Sequence, residues 1–216
     1  MRQLTVYCIG AALLALCPAA PAATFTFDTP PFAGTNVLNT PGRQVVGGED
    51  FLGFSIATDI FSMDAAAFGV GTSVNFVNST AANLPTGGVN VVVLGDFDND
   101  ANPLTPFGAG NAADLIAGRI TEHGAGFFIY FNQALNLPRL VYSTDLSSSG
   151  SDLKILARML NLTGAEGRNA IPTFTAANFA ITGDTTTAPE PSSFPMMTGV
   201  GLIGACYILR RARGPA

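Results

Sequence analysis

Asp96-Phe97-Asp98-Asn99-Asp100 is the cluster with a chemical mechanism behind it. Carboxylates at alternate positions of a loop can converge on one hard cation, and Ca2+ takes about six to eight oxygens. Asp96, Asp98 and Asp100 are therefore the candidate metal ligands, and Ca2+ is the cofactor they suggest. A weak site would still fill outside a cell, where calcium is abundant.

The run resembles the opening of an EF-hand calcium loop, with two departures. Ala101 stands where the sharp turn wants Gly, and Phe107 stands at the twelfth position, where a bidentate Glu belongs. Two readings stay open: a calcium site, or a solvated acidic turn after the strand candidate Val89 to Leu94.

Other chemistries find less. His123, between Glu122 and Gly124, has no evident partner for acid–base or metal work and reads as a surface residue. Gly71-Thr72-Ser73-Val74-Asn75 ends in Asn where a nucleophile elbow needs Gly. No zinc-protease motif and no phosphate-binding Gly-rich loop occurs. Cys8, Cys17 and Cys206 all lie outside residues 23 to 188, so the body has no disulfide and no thiolate chemistry. Glycoside cleavage needs only two carboxylates meeting in space, and Asp59, Asp64, Asp114, Glu122 and Asp145 are available for it. The body is expected not to be an enzyme.

Charge narrows the partners. Six Lys and Arg against fourteen Asp and Glu leave residues 23 to 188 at −8, compared with −5 for the whole chain. Phosphate backbones require a cationic surface, so nucleic acid is excluded as a partner. Phe127 to Phe131 and Pro138 to Tyr142 are dense in aromatics. They suit core strands, or a sugar-binding face helped by Asn132 and Gln133.

These residues must be positioned by short strands. Thr24 to Phe27 alternates polar and aromatic. Ile60 to Met63, Val74 to Val77, Val89 to Leu94, Phe127 to Phe131 and Leu140 to Tyr142 are further strands, with Thr173 to Ile181 closing the body. Turn-rich segments such as Leu84-Pro85-Thr86-Gly87-Gly88 separate them. Asn111 is placed to cap a helix over Ala112 to Ile120. Asp152 to Leu162 fits either period and leans to strand. The pattern predicts a mainly β body, an antiparallel β-sandwich of jelly-roll type, over residues 23 to 181.

The two ends carry addresses. Arg2, the apolar stretch Val6 to Leu16 and the small residues Ala20 and Ala22 make residues 1 to 22 a signal peptide, with cutting expected after Ala22 or, alternatively, Ala23. Cys17 follows Leu16, too large a neighbour for a lipidated Cys. At the other end, a threonine-rich stalk (182 to 188) leads to Pro189-Glu190-Pro191. An apolar run from Phe194 to Leu209 follows, then Arg210-Arg211-Ala212-Arg213. The run is long enough for a short transmembrane helix, and positive charge beside a span marks the cytoplasmic end. Residues 189 to 213 resemble a PEP-CTERM sorting signal.

That resemblance implies an exosortase-type processing enzyme reading Pro189, Glu190 and Pro191, with Arg210, Arg211 and Arg213 holding the tail in the inner membrane. It further implies delivery to the cell surface or an extracellular matrix rich in exopolysaccharide, in a structural or adhesive role. The alternatives are a secreted polysaccharide-binding module or a glycoside hydrolase.

Overall fold

Valine, isoleucine and phenylalanine crowd into runs with little polar alternation because one sheet is buried on both faces. The computed structural model describes residues 21 to 102 and 104 to 183. The elements are β1 (Thr24–Phe27), β2 (Val45–Val46), β3 (Asp50–Leu52), β4 (Ile60–Asp64) and α1 (Ala65–Phe68), then β5 (Phe76–Ser79), β6 (Val91–Leu94) and α2 (Ala109–Ala117). The chain continues with β7 (Gly126–Asn132), β8 (Leu137–Ser143), β9 (Leu153–Met159), α3 (Gly164–Ala170) and β10 (Phe179–Thr182).

Two sheets result. The smaller has the order β1-β4-β10. The larger has the order β2-β9-β8-β7-β6-β5, with β3 also on β9. Between them lies one core, where Phe61, Met63 and Phe179 of the small sheet meet Val91, Phe127 and Ile129 of the large one. The opposite face of the large sheet packs on α2, through Val92, Phe128, Tyr130, Ala112 and Ile116. The body is thus three layers: sheet, sheet, helix. Val91 to Leu94 and Gly126 to Asn132 are buried at every position, which explains their unbroken apolar runs.

The mainly β expectation stands, and its antiparallel form is corrected. Six of the eight strand pairings among the described residues are parallel. Only β7–β8 and β8–β9 are antiparallel. A jelly roll is built from antiparallel Greek keys, so that expectation falls with it. The cause is the connections: α2 carries the chain from β6 to β7 across one face, which lets neighbouring strands run the same way.

Boundaries also shift. Asn111 sits inside α2 instead of before it. Gly108 is the N-cap, and the Asn111 side chain reaches back to accept its N–H at 2.9 Å. β5 starts at Phe76, two residues beyond the expected Val74. Strands β2 and β3 and helices α1 and α3 were not anticipated, being too short for a periodic signal. Asp152 to Leu162 resolves as a strand, β9.

The signal segment up to Ala20 lies outside the described residues. So does the chain beyond Gly183: most of the stalk, the span 194 to 209, and Pro189, Glu190, Pro191, Arg210, Arg211 and Arg213. Among the described residues no helix is long and apolar enough to cross a membrane. Thr182, assigned to the stalk, is the last residue of β10 and pairs with Asp64.

Candidate functional site

The acidic loop leaves the end of β6, where the Gly95 N–H donates to the Ser79 carbonyl at 2.9 Å. Its carboxylates serve the loop itself. Asp96 accepts from the Ala81 N–H at 2.6 Å. Asp98 accepts from the Asp100 N–H at 3.1 Å. Asp100 accepts from the Thr105 hydroxyl at 2.6 Å and the Asn102 N–H at 2.9 Å, and these bonds hold its carboxyl below the usual range. Ala101 does adopt the left-handed conformation expected of Gly, with φ 55°, at a cost of about 1–2 kcal/mol. No three His, Cys, Asp or Glu side chains among the described residues are gathered to hold a metal ion.

The five carboxylates available for glycoside cleavage are each occupied separately. Asp64 caps α1 by accepting from the Ala67 N–H at 2.7 Å. Asp114 pairs with Arg43 at 2.7 Å. Glu122 accepts from the Gly88 N–H at 2.5 Å. Asp59 is buried in the turn before β4. Asp145 binds His123.

That last contact brings together a serine, a histidine and an aspartate. His123 Nδ1 lies 2.7 Å from Asp145 Oδ2 and 2.9 Å from Ser147 Oγ. A nucleophilic triad needs serine and acid on opposite ring nitrogens. Here both crowd Nδ1, and Ser147 Oγ itself donates to Asp145 at 2.8 Å. The His123 side chain is 84% exposed. The cluster therefore clasps the turn between β8 and β9. Partial burial pushes the Asp145 carboxyl up, but hydrogen bonds from His123, Ser147 and the Gly124 N–H outweigh it and hold the pKa at about 2.

The aromatic strands are core. Phe127, Phe128, Tyr130 and Phe131 have no exposed surface, and Tyr142 has 6%. The sugar-binding face expected as one reading of these residues is not there.

A cleft lies elsewhere, where β1 and β4 end. After β1 the chain bends through Pro30 and Pro31, and Phe32 plugs into the core 6.2 Å from the Tyr142 ring. On one side of this bend is a cavity of about 350 Å3 lined by Asp28, Asp50, Lys154, Thr26 and Phe27. On the other is an apolar groove of about 490 Å3 lined by Pro30, Leu38, Ala67 and Tyr142. The Lys154 ammonium is seated by the Gly47 carbonyl at 2.5 Å. Gly48, with φ 90°, leaves it room, since a Cβ there would stand 3.3 Å from Nζ. Asp28, Asp50 and Lys154 form no ion pair among the described residues. Unpaired charges of both signs beside an apolar wall can bind a polyhydroxyl ligand. No sequence signal marked these residues: Asp28 follows β1 directly, Asp50 opens β3 and Lys154 lies in β9.

Comparison with protein-family models, with curated proteins and with solved structures gave no match.

Proposed function

We propose that this chain is an exported protein of the cell surface or extracellular matrix, delivered by its signal segment and sorted through Pro189-Glu190-Pro191. The mature body plays a structural or adhesive, non-enzymatic part in association with exopolysaccharide. An exosortase-type enzyme in the inner membrane is its processing partner. The observation that supports this reading is where the described strands begin and end. Among the described residues the first strand begins at Thr24 and the last ends at Thr182, next to the two segments that this reading assigns to export and sorting. β1 and β10 run parallel on either side of β4, with Thr24 opposite Ile60 and Thr182 opposite Asp64. Thr24 and Thr182 therefore stand at opposite ends of the small sheet.

The test is the intact mass of the protein recovered from its host. At 22.2 kDa over 216 residues, loss of residues 191 to 216 removes about 2.7 kDa beyond the leader. Proline lacks an N–H donor and disfavours helix at the residue before it, so a Pro-Glu-Pro motif suits an enzyme that takes extended chain. Glu190→Ala is expected to trap the unprocessed form in the inner membrane. Unchanged release of that variant, or a wild-type product still ending at Ala216, would remove the motif from the reading.

The cleft favours a second reading, a polysaccharide-binding module, in which Asp28 and Asp50 accept from sugar hydroxyls and Lys154 donates. Calcium on Asp96, Asp98 and Asp100 is a separate proposal. Thermal melting of the exported protein addresses both, because a ligand that binds only the folded form raises the melting temperature. Neutral oligosaccharide should raise it in wild type but not in Asp50→Asn. Millimolar calcium should raise it in wild type but not in Asp98→Ala. A flat response in wild type would dismiss the corresponding ligand.

A further inference from the structure

Asp59 is 5% exposed, and every group found on its carboxylate is neutral. Oδ1 accepts from the Ala23 N–H at 2.9 Å and the Thr58 hydroxyl at 3.0 Å. Oδ2 accepts from the Ser55 N–H at 2.9 Å. No cation pairs with it among the described residues. Burial pushes this carboxyl up, but the donors from Ala23, Ser55 and Thr58 outweigh it and keep the pKa below the ordinary value. A buried anion held by neutral donors alone is incomplete, since buried charges are ordinarily paired.

Ala23 is pinned twice. Its N–H reaches Asp59, and its carbonyl accepts from the Ile60 N–H at 2.9 Å. Pro21 and Ala22, just before it, are exposed. The chain thus passes from solvent to a fixed backbone position at Ala23, where its nitrogen faces the carboxylate.

We propose that export cleavage falls between Ala22 and Ala23, and that the new Ala23 ammonium forms an ion pair with Asp59 which the uncleaved chain cannot make. The proposal rests on the export reading above. Water adds across the Ala22–Ala23 amide in a signal peptidase. Ala22 departs as a carboxylate, and the Ala23 nitrogen, no longer an amide, becomes protonated. A neutral donor 2.9 Å from a buried carboxylate is thereby converted into a cation. Cutting after Ala23 instead would delete the residue that holds Asp59 and leave its Oδ1 with Thr58 alone. Of the two cleavage positions that the small residues permit, only the first completes the site.

The pair stabilises the processed fold. A carboxylate at hydrogen-bond distance raises an α-amino pKa above its ordinary ~7.7–8.0. Stability from a raised pKa is fully present below the unfolded value and is lost as pH rises through the folded one. Among the hydrogen-bond and ion-pair partners of the described residues, Asp59 is the one titratable group at the Ala23 nitrogen. The other groups on this turn, Ser55, Thr58 and the Asn178 amide that donates to the Asp59 carbonyl at 3.1 Å, are neutral.

The experiment starts with the N-terminal sequence of the exported protein, which should begin at Ala23. Its melting temperature should then fall by roughly 2–4 °C between pH 8 and pH 10, and Asp59→Asn should lack that fall. Should Asp59→Asn not fold, the wild-type α-amine gives a second readout. A pKa raised by one unit makes its acylation near neutral pH roughly tenfold slower in the folded than in the urea-unfolded protein. A mature chain beginning at Thr24 or elsewhere overturns the proposal. So does a pH response shared by wild type and Asp59→Asn, or equal acylation rates. A retained leader defeats the export reading itself, a distinguishable failure.

Discussion

Glu49→Ala is expected to destabilise the body by about 3–5 kcal/mol, the cost of leaving buried charge unpaired. Glu49 lies just before β3, and its side chain is 6% exposed. Its Oε1 accepts from Arg139 at 2.6 Å and also from the Arg158 Nε, while Oε2 accepts from the Gly48 N–H at 3.0 Å. Arg139 and Arg158 face each other across β8 and β9. The glutamate is what keeps two guanidiniums side by side, and the buried Arg139 Nε has no partner already. Removing it leaves Arg139 and Arg158, opposite each other on β8 and β9, with no acidic partner among the described residues.

Glu49→Gln should cost less, because one amide oxygen still accepts. Burial pushes the Glu49 carboxyl up, but its hydrogen bonds and the two arginines outweigh this and set it below 4.5. A depressed pKa contributes stability that is present above the unfolded value and lost as pH falls through the folded one. The gap between wild type and Glu49→Ala should therefore be full at pH 7 and narrow below about pH 4.5. Urea titrations at both pH values measure it. A loss under about 1 kcal/mol at pH 7 would mean that the cluster behaves as an exposed pair.

Phe61→Ala should cost about 3–5 kcal/mol by a different route, the loss of packing around a cavity. Phe61 is fully buried at the centre of the small sheet. Its ring stacks on Phe54 at 4.1 Å and touches Phe25, Phe27 and Phe179 at 6.0–6.3 Å. It thus joins all three strands of that sheet to the loop carrying Phe54. Phe51→Ala is the control: that ring is 62% exposed and covers Arg158 at 5.2 Å, a contact worth about 0.5–1 kcal/mol. Equal losses for the two variants would contradict the described core.

Much of the element pattern was legible. Phe127 to Phe131 and Val89 to Leu94 announce strands because they are short, apolar and β-branched or aromatic. Their unbroken character also carries information about strand direction. A strand with water on one face alternates, whereas these do not, and burial on both faces is the mark of helix-covered parallel sheets. β2 and β3 escaped notice because two or three residues have no period; pairing with β9 alone makes them strands.

By itself the sequence determined what local chemistry determines: a cysteine-free acidic body, its strand-forming runs, and the composition of both terminal segments. The tertiary structure decided everything that depends on partners distant in the chain. Strand direction is one case, because a strand's residues present the same faces whichever way its neighbour runs. The cleft is another, since Asp28, Asp50 and Lys154 share a cavity only after three strands from two sheets are brought together. The clearest is Asp59, one of five unassigned carboxylates in the sequence. It acquires a role only when the parallel pairing of β1 with β4 sets the Ala23 nitrogen 2.9 Å from its oxygen.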